Sequence, residues 1–105
     1  MILEKNTMSL AAFMDRLQTV SRRQFGEGKR TGSLTKKISQ ELAEVIEKPD
    51  DLEEWVDILI LAMDGYWRHG GSSKWLLHDL HNKLCIVDER TYPKSDEDTP
   101  AQHVP

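Results

Sequence analysis

Between Trp55 and Met63 the sequence reads Trp-Val-Asp-Ile-Leu-Ile-Leu-Ala-Met, eight apolar residues around a single charge at Asp57. On a helix such a run is apolar nearly all round and demands burial. An ionised carboxylate inside it is costly unless it is paired or holds a cation. Glu54 stands one turn before Asp57, so both side chains leave the helix on one side. Any fold of this chain must cover that helix and accommodate its acids.

Helical periodicity predicts three partners for it. The first helix spans about Met8 to Arg23, with Thr7 as N-cap and Leu10, Phe13, Met14 and Leu17 on one face. Residues 25–32 carry three glycines and read as a loop. The second helix starts between Ser33 and Lys36 and ends at Lys48 before Pro49, with an apolar stripe of Ile38, Leu42, Val45 and Ile46. The third opens on Asp50 as N-cap, with Glu53 at capping-box spacing, and runs to about His69 before Gly70-Gly71. The fourth begins at Ser72 or Ser73 and carries Trp75, Leu76, Leu80, Leu84 and Val87. No strand pattern occurs, and the short links between helices two, three and four favour antiparallel neighbours. The expected class is all-α. With 105 residues the core is modest, so a four-helix bundle completed by self-association is the natural solution. Residues 1–92 form the expected domain, and 93–105, polar and bearing Pro100 and Pro105, an extended or mobile tail.

A net charge of −4 argues against a polymeric nucleic-acid partner, which calls for a basic face. It leaves a free nucleotide open, because a divalent cation reverses the local sign. Cys85 is the single cysteine, so no intrachain disulfide forms. Residues 1–7 lack a signal-peptide pattern, and the apolar run Ile58 to Met63 is too short to span a membrane. The cytoplasm is the expected location.

The second helix offers Glu41 and Glu44, again one turn apart, at the margin of its apolar stripe. Two helices thus present Glu-x-x-Glu and Glu-x-x-Asp. Four converging carboxylates suit hard divalent cations, Mg²⁺ or Mn²⁺, which also bind phosphates. Lys37 and Lys48 share the angular sector of the glutamates, where they would meet phosphate oxygens. The structural reading weighs equally on spacing alone: paired glutamates often form a solvated face, Glu53 is explained as a cap, and Glu54 as a first-turn acid favoured by the helix dipole. Asp57 fits that reading least.

Glu41-x-x-Glu44 followed by Glu54-x-x-Asp57 resembles the signature of the MazG-like all-α nucleotide pyrophosphohydrolases. Further motifs resemble the dATP/dGTP pyrophosphohydrolase branch common in phages, and most closely its MazZ-type (d)GTP diphosphohydrolases. They are Phe25-Gly-x-Gly-x-Arg30-Thr31, Pro49-x-Asp-Leu-x-Glu-Trp-x-Asp57, Leu61-Ala-x-Asp-Gly65, Trp67-Arg68, Lys83 and Arg90-x-Tyr-Pro93. The resemblance covers about Phe25 to Pro93. It implies a four-helix protomer, a homodimer or homotetramer, and two or three Mg²⁺ or Mn²⁺ ions held by Glu41, Glu44, Glu54 and Asp57. It implies attack of a metal-activated water on the α-phosphate, with Glu41 favoured as the proton acceptor, and release of pyrophosphate. Where family members often carry an asparagine, this chain has Val87, and Asn82 is out of register.

The expected function is therefore hydrolysis of a purine (deoxy)nucleoside triphosphate, guanine over adenine, to its monophosphate and pyrophosphate, in the host cytoplasm if the gene is a phage's. Arg30 and Lys37 are expected to bind substrate, as are Lys83 and Arg90, which lie seven apart and share a helix face if the fourth helix extends that far. For each of these cations an ordinary basic surface is the competing reading. The rival functions are a broad-specificity MazG-like hydrolase that includes dATP, and a non-catalytic helical interaction module. The Gly-Lys-Arg-Thr stretch is not a P-loop: its glycines are wrongly spaced and a helix, not a strand, precedes it. His78, His81 and Cys85 lack a zinc-site spacing. Trp55, Trp67 and Trp75 read as core or subunit interface, with one of them, or Phe25, available to stack on a purine.

Overall fold

The protein was analysed as a computed structural model that describes residues 8–93 and 97–102. Four helices follow one another: α1, Leu10–Phe25; α2, Thr31–Glu47; α3, Leu52–Arg68; and α4, Leu76–Glu89. No β-strand occurs among the described residues.

The helix starts differ from expectation for local reasons. Thr7 lies outside the described residues. Ser9 caps α1, its hydroxyl oxygen accepting from the Ala12 N–H at 3.0 Å. Asp51, not Asp50, caps α3 by accepting from the Glu53 N–H at 3.1 Å. The turn from Pro49 places the second aspartate, rather than the first, at the exposed amides. No side chain caps α2, whose entry residue Arg30 sits in the left-handed region at φ 49°. Neither serine starts α4; Ser72 accepts the Trp75 N–H through its carbonyl in a preceding turn, and the helix opens at Leu76.

The core lies where α1, α3 and the start of α4 meet. Met14 is fully buried, and Met63 and Leu76 nearly so, with Leu10, Phe13, Leu17, Tyr66 and Trp67 packed around them. Burying a side chain of this size stabilises by about 1.5–3 kcal/mol. The four-residue link 48–51 returns α3 onto α2, with Leu34 and Val45 buried between them. Tyr66 donates its hydroxyl to Asp79 and so ties α3 to the first turn of α4. Gly71 makes room for that ring: an added Cβ would stand 2.3 Å from it.

The expected burial of α3 is met on one side only. Leu52, Trp55, Val56 and Leu59 are exposed in the protomer, as are Leu42 and Ile46 on α2 and Leu77, Leu80, Leu84, Ile86 and Val87 on α4. Asp57 is exposed too, contrary to the sequence expectation. Among the described residues, α1 and α2 cover one side of α3, and the apolar side chains on its other side stay exposed.

Candidate active site

Packing α3 against α2 brings their acids together. Oxygen atoms of Glu41, Glu44 and Glu54 all lie within 4.8 Å of one another. Among the described residues this is the one group of three or more acidic, histidine or cysteine side chains that converges so closely. Glu41, at 4% exposure, is buried more deeply than its helix stripe suggests, and Glu54 is half-buried.

Closely spaced acids dominate the electrostatics of the site. Glu41 Oε1 pairs with Lys37 Nζ at 3.2 Å, but its Oε2 is buried with no hydrogen-bond partner, as is Oε2 of Glu54. Buried carboxylate oxygens without donors are rare and costly. Glu54 holds its proton more tightly than an ordinary glutamate. Its pKa is pushed up to about 7, by the hydrogen bond that protonation allows with Glu44, by burial, and by the charges of Glu44, Asp51 and Glu41. Lys37 shifts upward as well, through its hydrogen bond and charge attraction to Glu41 and through Glu44 and Asp57.

Asp57 stands outside the trio. It shares with Glu41 and Lys37 a cleft of about 370 Å³, also walled by Phe25, Ile60 and Leu61. A second cavity of about 260 Å³ adjoins it, with Phe25, Lys37 and Leu61 common to both and Arg30, Ser33, Leu34 and Asp64 its own. Arg30 lies 4.8 Å over the Phe25 ring and donates from Nη2 to Ser33 Oγ at 3.0 Å. Of the expected substrate residues, Lys37 stands at the carboxylates and Arg30 lines the adjoining cavity. Lys83 and Arg90 do not line either cavity; both belong to the α4 region, and Arg90 lines a separate pocket with His81, Leu84, Cys85 and Tyr92.

Sequence reading quoted Asp64 and Arg68 only within family motifs and gave neither a role. They form a buried ion pair at 3.1 Å, and Asp64 also accepts from the Trp67 indole at 2.6 Å. The signal was present: Asp and Arg four apart on an otherwise apolar helix are neighbours that must satisfy one another. Of the tryptophans, Trp67 packs on the core, with the guanidinium groups of Arg22 and Arg68 each stacked on its ring, while Trp55 and Trp75 are about half exposed. His81 Nε2 and Cys85 Sγ sit 3.6 Å apart on α4.

The sequence matches the dATP/dGTP pyrophosphohydrolase family over residues 13–105. No curated protein matches. Among solved structures, the MazG-like pyrophosphohydrolase of cyanophage S-2L, bound to dGDP and three catalytic Mn²⁺ ions per active site, superposes with a TM-score of 0.71. It is 22% identical, and the likeness covers 93% of this chain and 99% of that one. The fold is thus the MazG-like all-α fold.

Proposed function

The chain belongs to the dATP/dGTP pyrophosphohydrolase family and is a hydrolase of nucleoside triphosphates, and from that premise we propose that it converts a purine deoxynucleotide, dGTP foremost, to its monophosphate and pyrophosphate in a metal-dependent reaction. Membership sets aside the non-catalytic module. The observation that carries the metal requirement is the Glu41–Glu44–Glu54 cluster with its two orphaned buried oxygens. Such acceptors fit a hard divalent ion, Mg²⁺ or Mn²⁺, and three ions accompany the dGDP in the cyanophage enzyme. Glu41, Glu44, Glu54 and Asp57 would hold the metal here, which would neutralise phosphate charge and make a bound water more acidic.

The chain's own residues do the rest. Glu41 accepts the proton of the attacking water as its oxygen bonds to the α-phosphorus. The bond from the α-phosphorus to the bridging oxygen breaks, and pyrophosphate leaves. Lys37, held charged beside Glu41, meets the charge that develops on the phosphates. The adjoining cavity takes the base. The Phe25 ring is 60% exposed and offers a stacking surface, and Arg30 keeps donors free beyond its bond to Ser33. Guanine presents O6 and N7 acceptors to such donors, whereas adenine places an amine where O6 would be. That supports dGTP over dATP. Incubation with each dNTP and NTP in Mn²⁺, with products separated, tests this. Monophosphate and pyrophosphate are expected, fastest from dGTP. Equal turnover of every base would favour the broad-specificity alternative, and intact triphosphates throughout would refute the activity.

Proton linkage follows from Glu54. Its pKa near 7 means that metal uptake below that pH must displace a proton. Mn²⁺ affinity is therefore expected to fall as pH drops from 8 to 6. Calorimetry in buffers of different ionisation heat should detect proton release at pH 6 and little at pH 8; buffer-independent heats at both would contradict it. For stability of the metal-free protein the sign is opposite to that of a paired acid. Folding raises this pKa from 4.5, so the contribution is full below 4.5 and is lost as pH rises through about 7.

The exposed apolar faces of α2, α3 and α4 support assembly of the chain with copies of itself. No helix among the described residues is long and apolar enough to cross a membrane. The reading puts the enzyme with its substrate in the cytoplasm.

A further inference from the structure

We propose that Arg68 is a positioning residue for nucleotide binding: from the buried end of α3 it fixes the Gly26–Gly28 loop, and through it the placement of Phe25 and Arg30 at the base cavity. This rests on the reading of that cavity as part of the nucleotide site. The side chain of Arg68 is fully buried. Its Nη1 donates to the carbonyls of both Gly26, at 3.0 Å, and Gly28, at 2.8 Å. Nη2 donates to Ser21 Oγ at 2.8 Å, Nε donates to Asp64 at 3.1 Å, and the guanidinium plane lies 4.6 Å over Trp67.

The loop can meet this fork only because its glycines accept left-handed torsions, φ 85° at Gly26 and 98° at Gly28. Phe25, the last residue of α1, directly precedes the clasped segment, and Arg30, two residues beyond it, has a φ of 49° that is uncommon for a side-chain-bearing residue. The two are stacked on each other and line the same cavity. Asp64, which orients the guanidinium, lines that cavity as well. A buried cation thus holds a loop that carries no core residue of its own. An ordinary structural anchor would serve the helices. This one spends two of its donors on the backbone between two cavity residues. Lysine cannot replace it, because a single ammonium lacks the planar fork that reaches Asp64, Ser21 and two carbonyls at once.

The test is Arg68→Lys, which keeps the charge beside Asp64. Helix content and Mn²⁺ binding should persist, because the carboxylate trio lies elsewhere on α2 and α3. KM for the preferred triphosphate should rise about tenfold with kcat little changed, the mark of lost substrate positioning rather than lost chemistry. In an Arg30→Ala background the same substitution should add almost nothing, because it acts through Arg30 and its neighbour. Without nucleotide, trypsin should cut after Lys29 and Arg30 about tenfold faster than in the parent protein, as local opening becomes easier. Unchanged KM, additive losses with Arg30→Ala, or a parallel fall of kcat, Mn²⁺ binding and melting temperature would overturn the proposal. Should Arg68→Lys fail to fold, Gly28→Ala strains the loop from its other side while leaving the buried ion pair intact. It should give the same rise in KM, and an unchanged KM there overturns the proposal equally. A parent protein that hydrolysed no triphosphate would sink the functional reading, not the clasp. The trypsin comparison reads the clasp alone, and equal cutting rates refute it.

Discussion

Glu44→Gln is expected to lower kcat/KM by about 10²–10³-fold or more, the scale seen when one preorganised electrostatic group is removed from an active site, while making the metal-free protein more stable at pH 8. The two signs together are what distinguish a functional carboxylate from a structural one. Glu44 is exposed and contributes no burial of its own. Its principal effect in the folded chain is on Glu54, whose proton it helps to retain. At pH 8, above the Glu54 pKa, the amide removes the charge repulsion that Glu44 exerts on Glu54. At pH 5 Glu54 is protonated and hydrogen-bonds to Glu44, so the gain should vanish or reverse. Thermal melts at the two pH values, with activity assays alongside, check this. A variant that is less stable at pH 8, or fully active, would show that the acids are not gathered for a cation. Asp57→Asn should also lose activity. It lies outside the trio, so its metal-free stability should change little.

The helices and the acid pairs were legible because both obey local rules. Periodicity located α1 to α4 to within a few residues, and the i, i+3 spacing put Glu41 with Glu44 and Glu54 with Asp57 on common faces. What the sequence left undetermined is which of those faces meet. Helical spacing alone cannot set the rotation of α2 against α3, so Asp57, the acid with the most apolar neighbours, was expected inside. It is exposed, and Glu41 is the buried member instead. The error has one physical source. An apolar run demands cover, but it does not say whether the cover comes from the same chain. The clasp at Arg68 was hidden for the opposite reason: its partners Ser21, Gly26 and Gly28 are some 40 residues or more away in sequence, and three of its acceptors are small or backbone groups without a composition signature. Resemblance flagged Trp67-Arg68 as a motif without giving it a role.

A single glutamate in α4, Leu84→Glu, is expected to reduce the protein in solution from a multiple of 12.1 kDa to the 12.1 kDa chain. The helix presents Leu77, Leu80, Leu84 and Val87 at 3-4-3 spacing, the seam of a helix that packs against another helix. All four are exposed in the protomer, Leu84 by 64%. Beside them an entirely apolar cleft of about 330 Å³ opens between α3 and α4, walled by Leu10, Leu59, Met63 and Leu80 among others. Covering one such leucine is worth about 1.5–3 kcal/mol, and an uncompensated charge in its place costs more than that gain. A chain with this small a core has little stability to spare, so association and folding should be coupled. The parent protein's melting temperature should accordingly rise with protein concentration, and that of Leu84→Glu should be lower and independent of it. Activity should fall with dissociation even though Leu84 lies far from the acids in the chain. Trp55, Val56 and Leu59, next to Glu54 and Asp57 in the sequence of α3, are exposed as well. A partner that covers that face also excludes water from the rim of the site. Light scattering that gives 12.1 kDa for the parent chain, with a melting temperature unmoved by concentration, would mean that these apolar faces stay open to water and that the site is complete in one protomer.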